Sequence, residues 1–211
     1  MAKEEYIMEE KVLKERRKKV RIMQALATFL AMIMLFSVRD FVEDLMSKDA
    51  NYEIRYEMPF GTTNGQHVYE LFKDGEHVSD IDYNEYNLLD ENGNLDIWYC
   101  VIIQDVRNLA YVIILCIMLY IVILIVDNTI GGSPFTRKNA KRIRMIGALQ
   151  LALAVVPGLI AFTMKFFKFE YSSLRFQWPG FFMFIIAFAI MTLANVFDYG
   201  VKLQEDIDSI A

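Results

Sequence analysis

The stretch that decides the fold is residues 109–126, which read LAYVIILCIMLYIVILIV and contain no charged side chain. A helix of about 20 apolar residues crosses the roughly 30 Å hydrocarbon layer of a bilayer. Three more uncharged stretches of similar length cover residues 22–38, 145–164 and 176–197. The sequence therefore predicts an integral membrane protein of the all-α class, a bundle of four transmembrane helices.

The charged residues lie between these stretches, and their distribution predicts the topology. The 211 residues are 55% hydrophobic and only 23% charged, yet eight Lys or Arg fall within residues 1–21 and five within residues 127–144. Basic segments stay in the cytoplasm. We therefore expect a multi-pass protein of the cell membrane with both termini cytoplasmic. Its cytoplasmic parts are residues 1–21, 127–144 and 198–211, and its outer parts are residues 39–108 and 165–177.

The N-terminal segment is expected to be a basic helix that continues into the membrane. Glu10 with Lys14, and Glu15 with Lys19, have the i,i+4 spacing that supports a helix. Residues 36–40, at the far end of the first apolar stretch, lack a small-x-small cleavage pattern. We interpret that stretch as an uncleaved signal anchor.

The outer segment 39–108 is expected to be an acidic module with a β-hairpin, inserted between the first and second helices. It carries 16 acidic and five basic residues. Apolar and polar residues alternate over residues 52–58 and 68–72, which is typical of strands. Asp74-Gly75 suits a tight hairpin turn, and Val78, Ile81 and Tyr83 would supply the return strand.

The same module offers a weak pattern for a metal site. His67 and His77 bracket the hairpin, and the nearby carboxylates are those of Asp74, Glu76, Asp80 and Asp82. These residues match no established ligand spacing. We therefore expect solvated histidines, with no metal and no cofactor.

The two cysteines are not expected to form a disulfide. Cys100 and Cys116 lie 16 residues apart on or beside one predicted helix. That separation is about 24 Å along the helix axis, which is too far for an S–S bond. Two packed free thiols are the interpretation that remains.

The inner segment 131–147 reads GGSPFTRKNAKRIRMIG, a pattern that predicts a turn, a cap and a helix start. Thr136 is the expected N-cap of a helix that begins near Arg137 and continues into the third crossing. The basic side chains either anchor to an anionic leaflet, at about 1 kcal/mol each, or dock a cytoplasmic partner. They are Arg137, Lys138, Lys141, Arg142 and Arg144. The segment has no phosphate-binding glycine pattern and no interleaved aromatic residues, so we expect no direct nucleic-acid binding.

The third apolar stretch is rich in small residues, which favour close helix packing. The helix-packing candidates are Gly147, Ala148, Ala152, Ala154, Pro157 and Gly158. Pro157 removes a backbone hydrogen bond and is expected to kink the helix, either as a fixed shape or as a hinge.

Catalysis is not expected, and a transporter or channel in its own right ranks third among the interpretations. The four apolar stretches contain no Asp, Glu, Lys, Arg or His. A pump or ion transporter ordinarily needs such a residue at membrane depth, and a hydrolase needs a nucleophile beside a base. We therefore expect a protein that is not an enzyme.

The C-terminal segment continues the fourth helix and becomes acidic. It is either a frayed, solvated tail or a segment that pairs with a basic surface. That surface could be the inner loop of the same chain or the face of a partner.

Two inner motifs carry a family resemblance. The first motif is Pro134-Phe135-Thr136, followed by Asn139, Arg142, Ile143 and Gly147. The second is the terminal stretch 203–208, which reads LQEDID. These motifs resemble those of the bacterial four-helix membrane proteins of the domain-of-unknown-function 2975 family. Members commonly occur beside small helix-turn-helix regulators, and the resemblance implies a membrane component of a regulatory pair.

These observations favour a non-enzymatic membrane sensor or anchor whose inner face engages a cytoplasmic regulator, a small helix-turn-helix protein. The alternative is a structural or accessory subunit of a larger membrane complex such as a transporter, with a membrane-protein partner or as a homo-oligomer in the lipid bilayer. The partner-binding candidates are Pro134, Phe135, Thr136, Arg137, Asn139, Arg142, Arg144, Leu203, Gln204, Glu205 and Asp206.

Overall fold

The computed structural model describes residues 2–57, 68–90, 92–130, 134–169 and 180–210. Its long helices are α1 (Ala2–Met46), α3 (Ile97–Ile130), α4 (Arg137–Lys168) and α5 (Phe181–Ile210). The short elements are β1 (Tyr52–Glu57), β2 (Val68–Lys73), β3 (Glu76–Ile81) and the single turn α2 (Tyr83–Tyr86).

The four long helices confirm the predicted bundle components, since each is long and apolar enough to cross a membrane. They also extend well beyond the uncharged stretches. The 45 residues of α1 span about 67 Å at 1.5 Å per residue, roughly twice the hydrocarbon thickness. The basic N-terminal segment is thus part of the same helix as the first crossing.

The three strands form an antiparallel sheet in the order β1-β2-β3, which confirms the predicted β insertion after α1. Ile54 lies opposite Leu71 in the register. Asp74 and Gly75 join β2 to β3 with φ values of 53° and 86°. Two successive positive φ values are what a tight two-residue hairpin turn requires, and the predicted turn is confirmed.

The return strand is shorter than predicted. β3 ends at Ile81, and Tyr83 lies in α2 instead of in the strand. The reason is local, because Asp82 caps α2 by accepting a hydrogen bond from the backbone N–H of Asn84 at 3.0 Å. Met58 and His67 lie outside the described residues.

The contacts divide the chain into two compact units. The helical unit comprises residues 1–35, 112–154 and 179–211, and the sheet unit comprises residues 36–111 and 155–178. The core of the sheet unit joins the sheet to the start of α3 and the end of α4. Its buried apolar side chains are Leu71, Tyr86, Leu88, Cys100, Val101, Ile103, Ala161 and Phe169.

Within the helical unit, Gly147 permits a close approach of α4 to α5. A Cβ atom at this position would lie 2.8 Å from Cγ of Met191 and 3.4 Å from the carbonyl oxygen of Ala187. Ala187 and Ala194 of α5 are fully buried. Small side chains therefore set the distance between these two helices.

Both cysteines lie on α3 as free thiols, as expected. Cys100 is buried in the sheet unit, and Cys116 is half-buried.

Candidate functional site at the turn before α4

The inner motif forms a capped helix start. α4 begins at Arg137, and the hydroxyl of Thr136 accepts a hydrogen bond from the backbone N–H of Asn139 at 3.2 Å. The same hydroxyl accepts the amide of Asn128, at the end of α3, also at 3.2 Å. The predicted N-cap is confirmed, and it also ties the two helices together.

Asn139 is the centre of this turn and is fully buried. Its Oδ1 accepts hydrogen bonds from Asn128 at 3.2 Å and from Arg142 at 3.3 Å, and its Nδ2 donates to the carbonyl of Pro134 at 3.1 Å. Arg142 also donates to the backbone carbonyl of Leu124 on α3 at 2.7 Å. Asn139 and Arg142 therefore fix the geometry of the turn.

The side chain of Phe135 packs the turn against α5. A Cβ atom at Gly200 would lie 2.6 Å from Cδ1 of Phe135, so the ring occupies the space that only glycine leaves open. The ring centroid of Phe197 is 5.3 Å away. The motif residues Pro134, Phe135, Thr136, Asn139 and Arg142 thus build one structure.

Two ion pairs then connect α4 to the acidic end of α5. Arg137 binds Glu205 through two hydrogen bonds, Nε to Oε1 at 3.0 Å and Nη2 to Oε2 at 2.8 Å. Nη2 of Arg144 lies 2.6 Å from Oδ2 of Asp198. We call these four side chains the charged clasp. Of the two alternatives for the tail, the structure has the one in which it pairs with the basic inner segment of the same chain.

The remaining candidates take different positions. Leu203 and Asp206 are exposed and Gln204 is half-buried. Of the packing candidates, Ala154 and Pro157 are buried, Ala152 and Gly158 are half-buried, and Ala148 is exposed. α4 continues through Pro157 without interruption.

A buried ion pair in the sheet unit was not predicted. Nζ of Lys165 on α4 lies 2.5 Å from Oε2 of Glu85 on α2, and both residues are more than nine-tenths buried. Gln104 on α3 donates to the same oxygen at 2.8 Å, and Arg107 lies 3.7 Å from it. Removing two ions from water costs several kcal/mol each, and these contacts offset part of that cost. The pair holds α2 against α3 and α4.

Two features surround this pair. Among the described residues, Oε1 of Gln104 and Nε of Arg107 are buried without a hydrogen-bond partner. Burial, followed by the nearby charge of Asp105, raises the pKa of Tyr86 to about 12. Sequence reasoning missed Glu85 and Lys165 because they are 80 residues apart and no local pattern links them.

The end of α1 is attached to the sheet through Asp44. Its carboxylate accepts hydrogen bonds from Nζ of Lys73 at 2.8 Å and from the hydroxyl of Tyr52 at 3.3 Å. Its backbone carbonyl accepts the indole N–H of Trp98 at 2.9 Å. These bonds join α1, the sheet and the start of α3.

Within the hairpin, Glu70, His77 and Asp80 place one ligand atom each within 4.8 Å of one another. His77 and Asp80 belong to the weak metal pattern in the sequence, and Glu70 joins them from β2. His77 already contacts the carboxylate of Asp80 at 3.3 Å, and both side chains are exposed. Such groupings are common on acidic surfaces, and this one supports no assignment.

Four helices that are long and apolar enough to cross a bilayer indicate a multi-pass membrane protein. The model of the family described as "Protein of unknown function (DUF2975)" matches residues 94–210, more than half of the chain. The chain belongs to this family. The match covers α3, α4 and α5 with the whole inner turn, and it excludes α1 and the sheet. Neither the comparison with curated proteins nor the comparison with solved structures finds a match.

Proposed function

We propose that this chain is a non-enzymatic membrane sensor or anchor that works with a cytoplasmic regulator, and that the regulator binds at the charged clasp. The main support for this proposal is a contrast in burial. The turn before α4 is buried and held by hydrogen bonds, whereas the ion pairs of the charged clasp are exposed. Asn139 is inaccessible to solvent, whereas the side chains of Arg137 and Glu205 are 78% and 51% exposed.

This contrast suits a docking surface. Water and salt screen exposed ion pairs, so they contribute little to stability, and a partner with its own charged groups can replace them at little cost. The buried bonds of Asn139 and Arg142 keep the backbone in place while the ion pairs exchange. A partner would therefore meet a preformed surface, which reduces the ordering cost of binding.

The sheet unit supports the sensing part of the proposal. It presents an acidic surface on a folded platform, and the buried pair Glu85–Lys165 connects that platform to α4. A ligand or condition that alters the platform would act on α4 through this pair.

The proposal includes an orientation in which both termini are cytoplasmic and the sheet unit is outside. An epitope tag fused to either terminus should resist protease added to intact cells, and a tag inserted after Gly75 should be removed. Permeabilised cells, in which all the tags should be cut, provide the control. Loss of a terminal tag from intact cells would contradict this orientation.

Binding at the charged clasp is tested by co-purification of the full chain from its native membranes after cross-linking. Recovery of a small DNA-binding protein should fall about tenfold in the double variant Arg137→Ala/Arg144→Ala, since a loss of about 1.4 kcal/mol is tenfold in affinity. Arg142 is left intact because it holds the turn together.

The matched control for this experiment is Lys138→Ala/Lys141→Ala, which removes two positive charges from exposed positions on the same helix. This variant should retain most of the recovery. Equal recovery from the wild type and both variants, or no partner from the wild type, would refute binding at the charged clasp.

A further inference from the structure

The end of α1 contacts the start of α3, where the indole N–H of Trp98 donates to the backbone carbonyl of Asp44 at 2.9 Å. We call this contact the α1–α3 junction. The carboxyl groups of Asp44 and Asp105 face each other there at hydrogen-bonding range. Both residues lie outside the uncharged stretches, with the charged residues Arg39 and Arg107 between them and those stretches. Asp44 and Asp105 are here called the carboxyl pair.

Titratable groups from four elements surround the carboxyl pair. They are Asp40 on α1, Tyr52 on β1, Lys73 on β2 and Tyr86 on α2. Both Lys73 and Tyr52 donate to Oδ1 of Asp44, at 2.8 Å and 3.3 Å. Oδ2 of Asp105 is buried and has no hydrogen-bond partner among the described residues. The junction therefore holds more acceptor oxygens than donors.

A proton on the carboxyl pair corrects this imbalance. An ionised carboxylate only accepts hydrogen bonds, so two facing carboxylates repel each other and neither donates. One proton on Asp105 turns its carboxyl group into a donor to Asp44 and removes one of the two like charges. Water reaches the pair, since the side chain of Asp44 is 20% exposed. Asp105 therefore takes the proton from water and returns it to water.

We propose that the carboxyl pair binds one proton and that this proton holds the end of α1 against the start of α3. When the proton leaves, Asp44 and Asp105 carry like charges and the α1–α3 junction loosens. The sheet unit thereby responds to pH. Only the statement that this is the pH outside the cell rests on the proposed function and its orientation, whereas binding of the proton does not.

The pKa of Asp105 gives the pH range of the response. Burial, then the charge of Asp44 and the hydrogen bond to it, raise this pKa to about 7, whereas the charge of Lys73 lowers it. The ordinary pKa of an aspartate is about 4, so the folded chain holds the proton more tightly than the unfolded chain. The junction is therefore most stable in acid. It loses stability as the pH rises from about 4 to about 7, and Asp105 causes no further loss above that range.

The test follows the fluorescence of Trp98, because its hydrogen bond to Asp44 belongs to the junction. The full chain carries Trp178→Phe, which leaves Trp98 as the single tryptophan, and is purified in a mild detergent. The fluorescence should change with the uptake of one proton and a midpoint near pH 7. Infrared spectra of the same samples should show a protonated carboxyl group below this midpoint. Asp105→Asn should abolish both changes, because an amide does not titrate.

Milder variants test the direction of the charge effects and do not depend on the folding of Asp105→Asn. Asp40→Asn removes an exposed negative charge and should lower the midpoint, whereas Lys73→Met removes a positive charge and should raise it. Each shift should be a few tenths of a pH unit. The control is His67→Gln/His77→Gln, because histidines ordinarily titrate near neutral pH. It should leave the midpoint unchanged.

The absence of a transition between about pH 5 and pH 9 in the wild type would overturn the proposal. A transition that survives Asp105→Asn, or that disappears with the histidines, would also overturn it. So would midpoints that do not move in opposite directions in Asp40→Asn and Lys73→Met. The purified chain in detergent has no regulator and no outer side, so these results are independent of binding at the charged clasp and of the orientation.

Discussion

Replacement of Glu85 by leucine is expected to lower the free energy of unfolding of the sheet unit by about 3–5 kcal/mol, because it leaves the ammonium of Lys165 buried without its carboxylate. Both residues are more than nine-tenths buried, so water cannot take over the lost contact. The effect is measured by heating the purified chain in detergent and using limited proteolysis of the sheet unit to detect its unfolding.

Two further variants make this experiment specific. Glu85→Leu/Lys165→Met removes both charges and should recover most of the lost stability, since a well-packed apolar pair is often as stable as a buried ion pair. Arg39→Leu breaks the exposed pair with Glu43 in the same unit and should change the stability by less than about 0.5 kcal/mol. If Glu85→Leu melted like the wild type, the pair could not be what holds α2 in place.

Replacement of Asn139 by leucine is expected to destabilise the turn before α4 by about 2–4 kcal/mol. The substitution keeps the number and branching of the side-chain heavy atoms but removes the hydrogen bonds to Asn128, Arg142 and Pro134. Hydrogen exchange followed by mass spectrometry should show faster exchange of the backbone amides in the first two turns of α4.

The matched control is Asn195→Leu, the same substitution at an exposed position of α5, where the side chain accepts a hydrogen bond from Arg144 at 3.3 Å. It should leave exchange at the start of α4 almost unchanged. Equal protection in Asn139→Leu and wild type would show that the buried bonds do not determine the turn.

Features encoded by neighbouring residues were predictable from the sequence. The apolar stretches indicated four helices, Asp74-Gly75 indicated the hairpin turn, and Thr136 indicated the start of α4. Each depends on a contiguous run of residues. The predicted end of β3 was wrong because Asp82 can be either a strand residue or a helix cap. The alternation of apolar and polar residues alone does not distinguish the two.

The candidate site was predictable in its residues but not in its arrangement. The sequence singled out Arg137 and Glu205 separately and left open whether the tail pairs with this chain or with a partner. It could not show that Asn139 and Arg142 are structural, because an asparagine and an arginine in a basic segment resemble binding residues equally well. The distances and the burial of Asn139 distinguish the two roles.

The buried pair Glu85–Lys165 also determines when the core of the sheet unit can be completed during biosynthesis. Glu85 leaves the ribosome long before Lys165, which lies 80 residues later in the chain. Ala161 and Phe169, which complete the same apolar core, also come late. The sheet can pair its strands as soon as they are made, but its interior stays open until the third crossing has been inserted. Membrane insertion and maturation of the water-exposed sheet are therefore one coupled process.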